Sequence, residues 1–302
     1  MQFKRQKKNI NGILLLDKPL GFSSNQALQK IKWLLKAAKA GHTGTLDPLA
    51  TGLLPLCFGE ATKFAHYLTD ADKTYIATMK LGATTTTGDA EGEVLSIHAV
   101  NVSRLDFEAA CEQFVGEISQ TPPMYSALKF EGKALYEYAR AGVEIERKAR
   151  LVTIRSIQVN AFSGDEAVIA VACSKGTYIR TLAEDIGKQL GCGAHLTGLR
   201  RTATADYRIE QAITLEQFEA MGDEQRLAAL APPDSAVHYL PAITLDGDAA
   251  FYLLQGQAVW CSGAIPPGLL RLYNEQQVFL GLGELQDDGK IAPKRLMQQV
   301  NN

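Results

Sequence analysis

The sequence predicts an α+β fold, a large domain built on a mixed sheet followed by a small C-terminal β domain. Helical and strand patterns are interspersed without a regular βαβ rhythm, which argues against a doubly wound sheet. A proline break, Ala231-Pro232-Pro233-Asp234, marks a change of character. From about residue 243 short apolar runs alternate with turns at Gly256, Gly263, Gly268, Gly281, Gly283 and Gly289, the texture of a small barrel or sandwich.

The elements follow in order. Residues 13–16 (Ile-Leu-Leu-Leu) read as a short buried strand ended by Asp17-Lys18-Pro19. Ser23 with Gln26 forms a capping-box pattern that opens a helix, and Gly41 is placed to stop it. Along that helix Ile31, Leu34 and Leu35 share an apolar face, while Lys32, Lys36 and Lys39 fall at i, i+4 and i+7 on another. The bland reading of these lysines is a solvated face; the sharper one is a stripe that neutralises phosphates. Residues 73–81 alternate, with Tyr75, Ala77, Met79 and Leu81 on the apolar side of a strand. A helix is expected over 104–115, an irregular segment over 120–134 and a short helix around Leu135 to Ala141. Strands follow near 151–161 and 166–173, then a helix from Thr177 to Leu190 closed by Gly191.

Composition narrows the function classes. The chain has 302 residues, 46% hydrophobic and 21% charged, as in an ordinary globule. It contains no run of about 18 apolar residues, so no membrane helix is expected. The basic segment Met1 to Asn9 lacks the apolar run of a signal peptide, and a cytoplasmic location is expected. Five scattered cysteines lack CxxC spacing and read as reduced core filler, with no structural metal expected. The net charge of -2 hides an asymmetry: residues 1–80 carry 12 Lys+Arg against 5 Asp+Glu. A polyanion would be gripped there.

Two clusters could carry chemistry. The first, Gly41-His42-Thr43-Gly44-Thr45-Leu46-Asp47-Pro48-Leu49-Ala50-Thr51-Gly52, is a tight loop in which Pro48 biases Asp47 away from helical geometry. Alone, an Asp-Pro pair is more often a turn starter than a reagent, and His42 more often a capping or surface residue. The second, Cys173 to Arg180, lets Thr177 cap a helix and puts Arg180 in its first turn. A cation there opposes the helix dipole by roughly 0.3–1 kcal/mol. A nearby carboxylate held by the guanidinium would resolve that conflict; an arginine reaching out to solvent is the alternative.

The dodecamer around Asp47 resembles the signature loop of the bacterial tRNA pseudouridine(55) synthases, the TruB family. So do Asn11 to Pro19, Met124 to Lys129, Ser174 to Arg180 and Leu199-Arg200-Arg201, in the family's order. Gly281 to Glu284 and Pro293 to Arg295 resemble its C-terminal PUA-like domain. The resemblance implies a pseudouridine synthase domain over 1–240, with an RNA-contacting insertion around 120–150, and a PUA-like domain over 241–302. It implies an isomerase without cofactor or metal, acting as a monomer on the T stem-loop of tRNA without a guide RNA. Asp47 matches the family's nucleophile, Tyr75 the tyrosine that stacks on the target base and is a suggested proton acceptor, and Arg180 the partner of the aspartate. His42 matches a histidine that fills space vacated by flipped bases; Leu199 and Lys129 match pocket-side positions. Lys18 and Tyr178 fall in the matching blocks as further substrate contacts. A neighbouring Arg⁺ is expected to lower the pKa of Asp47. One departure stands out: Thr84 and Thr86 occupy positions where relatives often carry an Arg and an Asp.

Overall fold

A ten-stranded mixed sheet organises the computed structural model, which describes residues 7–263 and 265–298. The first six residues of the basic N-terminal segment and the last four of the expected C-terminal domain lie outside the described residues. The main path of the sheet runs Ile213–Thr214, Gly12–Lys18, Ala50–Phe58, Ala194–Thr204, Lys73–Leu81, Glu166–Cys173, Arg150–Ser163, Gly116–Gln120. Gly12–Lys18 is apolar on both faces because the sheet is covered on both sides. Leu14 and Leu16 belong to one core, Ile13 and Leu15 to the other. Lys73–Leu81 alternates buried and half-buried residues throughout, which sends Tyr75 inward with Ala77 and Met79. It lies between Ala194–Thr204 and Glu166–Cys173, antiparallel to both.

The helix Ser24–Leu35 begins with the full capping box: Ser23 Oγ accepts from the Gln26 N–H at 3.2 Å, and Gln26 Oε1 accepts from the Ser23 N–H at 2.8 Å. Its end differs from expectation. Lys36 takes the left-handed conformation (φ 58°) and its N–H returns to the carbonyls of Lys32 and Trp33. The turn thus closes five residues before Gly41, which lies instead in a short strand, Ala40–His42, paired with Ala50–Phe58. Lys32, Lys36 and Lys39 therefore do not form one helical stripe; only Lys32 is within the helix. The helix Ile179–Gln189 starts two residues later than expected, with Tyr178 rather than Thr177 at its N-cap position. The Thr177 hydroxyl instead donates to the Ser174 carbonyl at 3.0 Å.

The segment after residue 120 carries a tiny hairpin, Lys129–Phe130 with Lys133–Ala134, and the helix Leu135–Arg140. Ala231 bonds back to Ile13 before the chain passes Pro232-Pro233. Four strands then form a second sheet, Ala242–Thr244, Leu269–Tyr273, Phe279–Leu285, Ile291–Leu296, with the helix Gly247–Leu254 and its own core. That sheet docks on the large domain: the Phe279 and Phe64 rings lie 5.4 Å apart, and Leu282 belongs to the same buried cluster as Val237. No helix among the described residues is long and apolar enough to cross a membrane. All five cysteines are free and four are buried.

Candidate active site

The loop between Ala40–His42 and Ala50–Phe58 is tied down on both flanks. Ser24 Oγ accepts from the Leu46 N–H at 2.7 Å and donates to the Leu46 carbonyl at 3.0 Å. Gly21 N–H donates to the Pro48 carbonyl at 2.9 Å, and Ala50 N–H closes a turn onto the Asp47 carbonyl at 3.0 Å. Between these anchors the Asp47 side chain points into a cleft, 37% accessible.

Arg180 faces it from the first turn of Ile179–Gln189. Its Nη2 stands 3.0 Å from Asp47 Oδ2 and its Nε 3.5 Å from Asp89 Oδ2. Nη1 donates to the Thr87 carbonyl at 2.8 Å and Nη2 to the Tyr125 carbonyl at 2.6 Å. The guanidinium, 5% exposed, thus joins four segments of chain and meets two carboxylates at the unfavourable end of a helix dipole. The helix start is held from the neighbouring strand by Gln120, which accepts from the Tyr178 N–H at 2.8 Å and donates to its carbonyl at 3.1 Å.

Electrostatically the carboxyl of Asp47 differs from the expectation. Burial pushes its pKa up, Arg180 pulls it down, and Asp89 adds a further push upward; the balance is a raised pKa. The arginine does not win because its charge is shared with Asp89 and because the desolvation of the carboxyl in the cleft is the larger effect. Lys18, fully buried, donates to the Pro19 and Phe22 carbonyls below the loop. Burial lowers its pKa to about 8, with Asp47 and Glu91 opposing the fall.

Asp47 stands where two recesses meet. One, about 360 Å³ and within the ~300–1,000 Å³ of small-ligand sites, is lined by Tyr75, Tyr178, Arg180 and Leu199. Burial raises the Tyr75 pKa, so the phenol stays neutral. The Arg150 guanidinium lies 5.2 Å over the Tyr178 ring at its rim. The other recess is lined by His42, Asp89, Glu91, Tyr125 and Arg180. His42 Nδ1 is buried there without a hydrogen-bond partner in the protein, and burial lowers its pKa.

The remaining sequence-derived positions lie elsewhere. Lys129 is exposed in the small hairpin and does not line the cleft, whereas its neighbour Leu128 does. Lys36 pairs with Asp223 at 3.0 Å, Lys32 is half-buried on the helix, and Lys39 is exposed beyond it. Thr84 shares a hydrogen bond of 2.7 Å with Ser96, and Thr86 accepts from the Glu93 N–H, so both hold a local hairpin. Sequence reasoning missed Asp89 as a partner of Arg180, Gln120 as its helix anchor, and the burial of Arg201. The only local signal was Asp89 after a Thr/Gly turn; the others depend on long-range contacts.

Three family models match the chain in succession: the TruB family pseudouridylate synthase N-terminal domain over 32–179, the tRNA pseudouridylate synthase B C-terminal domain over 180–238, and the pseudouridine synthase II TruB C-terminal domain over 241–297. A tRNA pseudouridine synthase B of Methylobacillus flagellatus is 61% identical over 99% of both chains. One of Pseudomonas fluorescens is 54% identical over 98% of this chain and 99% of its own. The chain belongs to the TruB pseudouridylate synthase family. Among solved structures it resembles an H/ACA RNP bound to a substrate RNA containing 2'-deoxyuridine, with TM-score 0.73 and 25% identity over 95% of this chain and 85% of that one. A Cbf5-Nop10-Gar1 complex gives TM-score 0.72 and 28% identity over 95% and 84%.

Proposed function

We propose that this chain is a tRNA pseudouridine(55) synthase, an isomerase that converts uridine 55 of the T loop to pseudouridine with Asp47 as nucleophile. The observation that carries the mechanism is the Asp47 carboxylate held 3.0 Å from a buried guanidinium, in a recess shared with the ring of Tyr75. The reaction breaks the N1–C1′ bond, turns the uracil and rejoins it through C5. The C5 proton is lost and N1 regains one, so atoms and electrons balance without oxidant, metal or cofactor. An ionised Asp47 assists at the sugar or by adding to C6 of the base. Arg180 orients the carboxylate and favours its charged form against the burial that opposes it.

The target base leaves its stack at a cost of a few kcal/mol. A neutral Tyr75 ring offers stacking of about 1–3 kcal/mol in return. The recess beside His42 is suited to the space that a flipped nucleotide leaves behind. Residues 1–240 then form the catalytic domain, with the hairpin and helix of 120–150 as a tRNA-contacting insertion. Residues 241–302 form a PUA-like domain. Its slightly acidic balance, 4 Lys+Arg against 6 Asp+Glu over 241–302, makes it a secondary RNA contact. The enzyme works in the cytoplasm as a monomer on bare tRNA, without a guide.

The test is Asp47→Asn. It is expected to bind tRNA with unchanged affinity and to release no tritium from tRNA labelled at C5 of uridine. Near-normal release in that variant overturns the mechanism, and a need for added guide RNA overturns the substrate assignment.

A further inference from the structure

Arg201 is the largest fully buried side chain among the described residues, at 1% exposure. Among the described residues it has no ion pair with a carboxylate, and burial together with its charge lowers the pKa of Lys18, His42 and Lys73. A buried cation without an acid is costly to keep, and such local conflicts concentrate where function needs them. Nothing in the chemistry assigned to Asp47, Tyr75 and Arg180 uses it.

Its contacts say what it holds. Nε donates to the Leu53 carbonyl at 2.7 Å, in the strand that leaves the Asp47 loop, and Nη2 to the Gly44 carbonyl at 3.3 Å, near the start of that loop. In the sheet Arg201 lies opposite Tyr75 on one side and opposite Gly52 on the other. Arg201 also lines the same recess as the Tyr75 ring. At Gly52 (φ 99°) an added Cβ would stand 2.3 Å from the Arg201 carbonyl oxygen, so the loop's exit strand rests directly on this residue. A planar guanidinium presents its donors in a fixed fork, which an ammonium on a flexible stem does not reproduce.

We propose that Arg201 is a positioning residue, which sets the placement of the Asp47 loop relative to the Tyr75 ring. It fastens the start of that loop and the strand leaving it to one rigid group on the residue paired with Tyr75 in the sheet, and acts without touching the uracil. The inference rests on the reading of Asp47 as nucleophile.

Single-turnover pseudouridine formation, tRNA Kd with its salt dependence, and thermal denaturation are measured for Arg201→Lys, Arg201→Gln and Asp47→Asn. Arg201→Gln removes the buried charge and keeps an amide donor, which covers the case in which the lysine variant does not fold. Positioning predicts a single-turnover rate at least about 100-fold lower, with Kd within about threefold and a melting midpoint above the assay temperature. That is a loss of about 2.7 kcal/mol in transition-state stabilisation. The proposal is overturned by rates within about threefold of the parent, by loss accounted for by the unfolded fraction, or by a weaker Kd with a changed salt slope, which would mark a phosphate contact. If Asp47→Asn itself turns over, the reading of the nucleophile fails. If it is inactive while the Arg201 variants are normal, only the positioning role fails.

Discussion

Asp47 is poised between opposing neighbours, and its protonation follows from their sum. Burial and Asp89 raise its pKa while Arg180 lowers it, so the ionised form is lost, as pH falls, above the ordinary value of about 3.9. The single-turnover rate is therefore expected to have an acid limb displaced upward from that value. Asp89→Asn removes one raising charge and should move the limb to lower pH; Arg180→Met should move it higher. A pH profile in which the asparagine variant shifts upward would contradict this assignment. Burying a carboxyl whose pKa is raised also costs stability at pH values above it, because folding then opposes ionisation. Asp47 was legible in the sequence through its loop and its resemblance. Asp89, Gln120 and Arg201 were not, because each acts on residues far along the chain: Gln120 binds Tyr178 across 58 positions.

Element ends divide into those fixed locally and those fixed by the fold. The start of Ser24–Leu35 was readable because Ser23 and Gln26 satisfy each other within one turn. Its stop at Lys36 was not, since a lysine in the left-handed region carries no sequence mark when a glycine stands five residues later. The thread from there to Gly41 is pulled into sheet pairing with Ala50–Phe58. This changes what the lysines can do. Lys36 is engaged by Asp223, whereas Lys39 is exposed and makes no ion pair among the described residues. Lys39→Ala is expected to reduce the salt slope of tRNA binding by about one, and Lys36→Ala to leave it nearly unchanged. Equal slopes for both variants and the parent would return all three lysines to a solvated role.

Taken whole, the described residues build two main sheets joined by apolar docking. Phe64 and Val237 of the large domain are fully buried, and Phe279 and Leu282 of the second sheet pack in the same core. The proline break and glycine rhythm announced a second unit; its seating on Phe64 depends on three-dimensional contact and left no pattern in the sequence. A chain ending at Leu240 uncovers that core. Losing one aromatic burial of about 1.5–3 kcal/mol should lower the melting midpoint by about 3–12 °C. An unchanged midpoint in a calorimetric scan would show that the docking contributes nothing to the large domain.

The parallel pairing of Ala50–Phe58 with Ala194–Thr204 has a consequence for biosynthesis. Asp47 leaves the ribosome long before Arg180 and Arg201, and at about 5–20 residues per second the delay is on the order of ten seconds. Until the later strand inserts between Ala50–Phe58 and Lys73–Leu81, the Asp47 loop lacks its floor and its counter-charge. On the proposed mechanism a nascent chain is therefore expected to be silent toward tRNA, as is a product terminated before residue 200 although it contains both Asp47 and Tyr75.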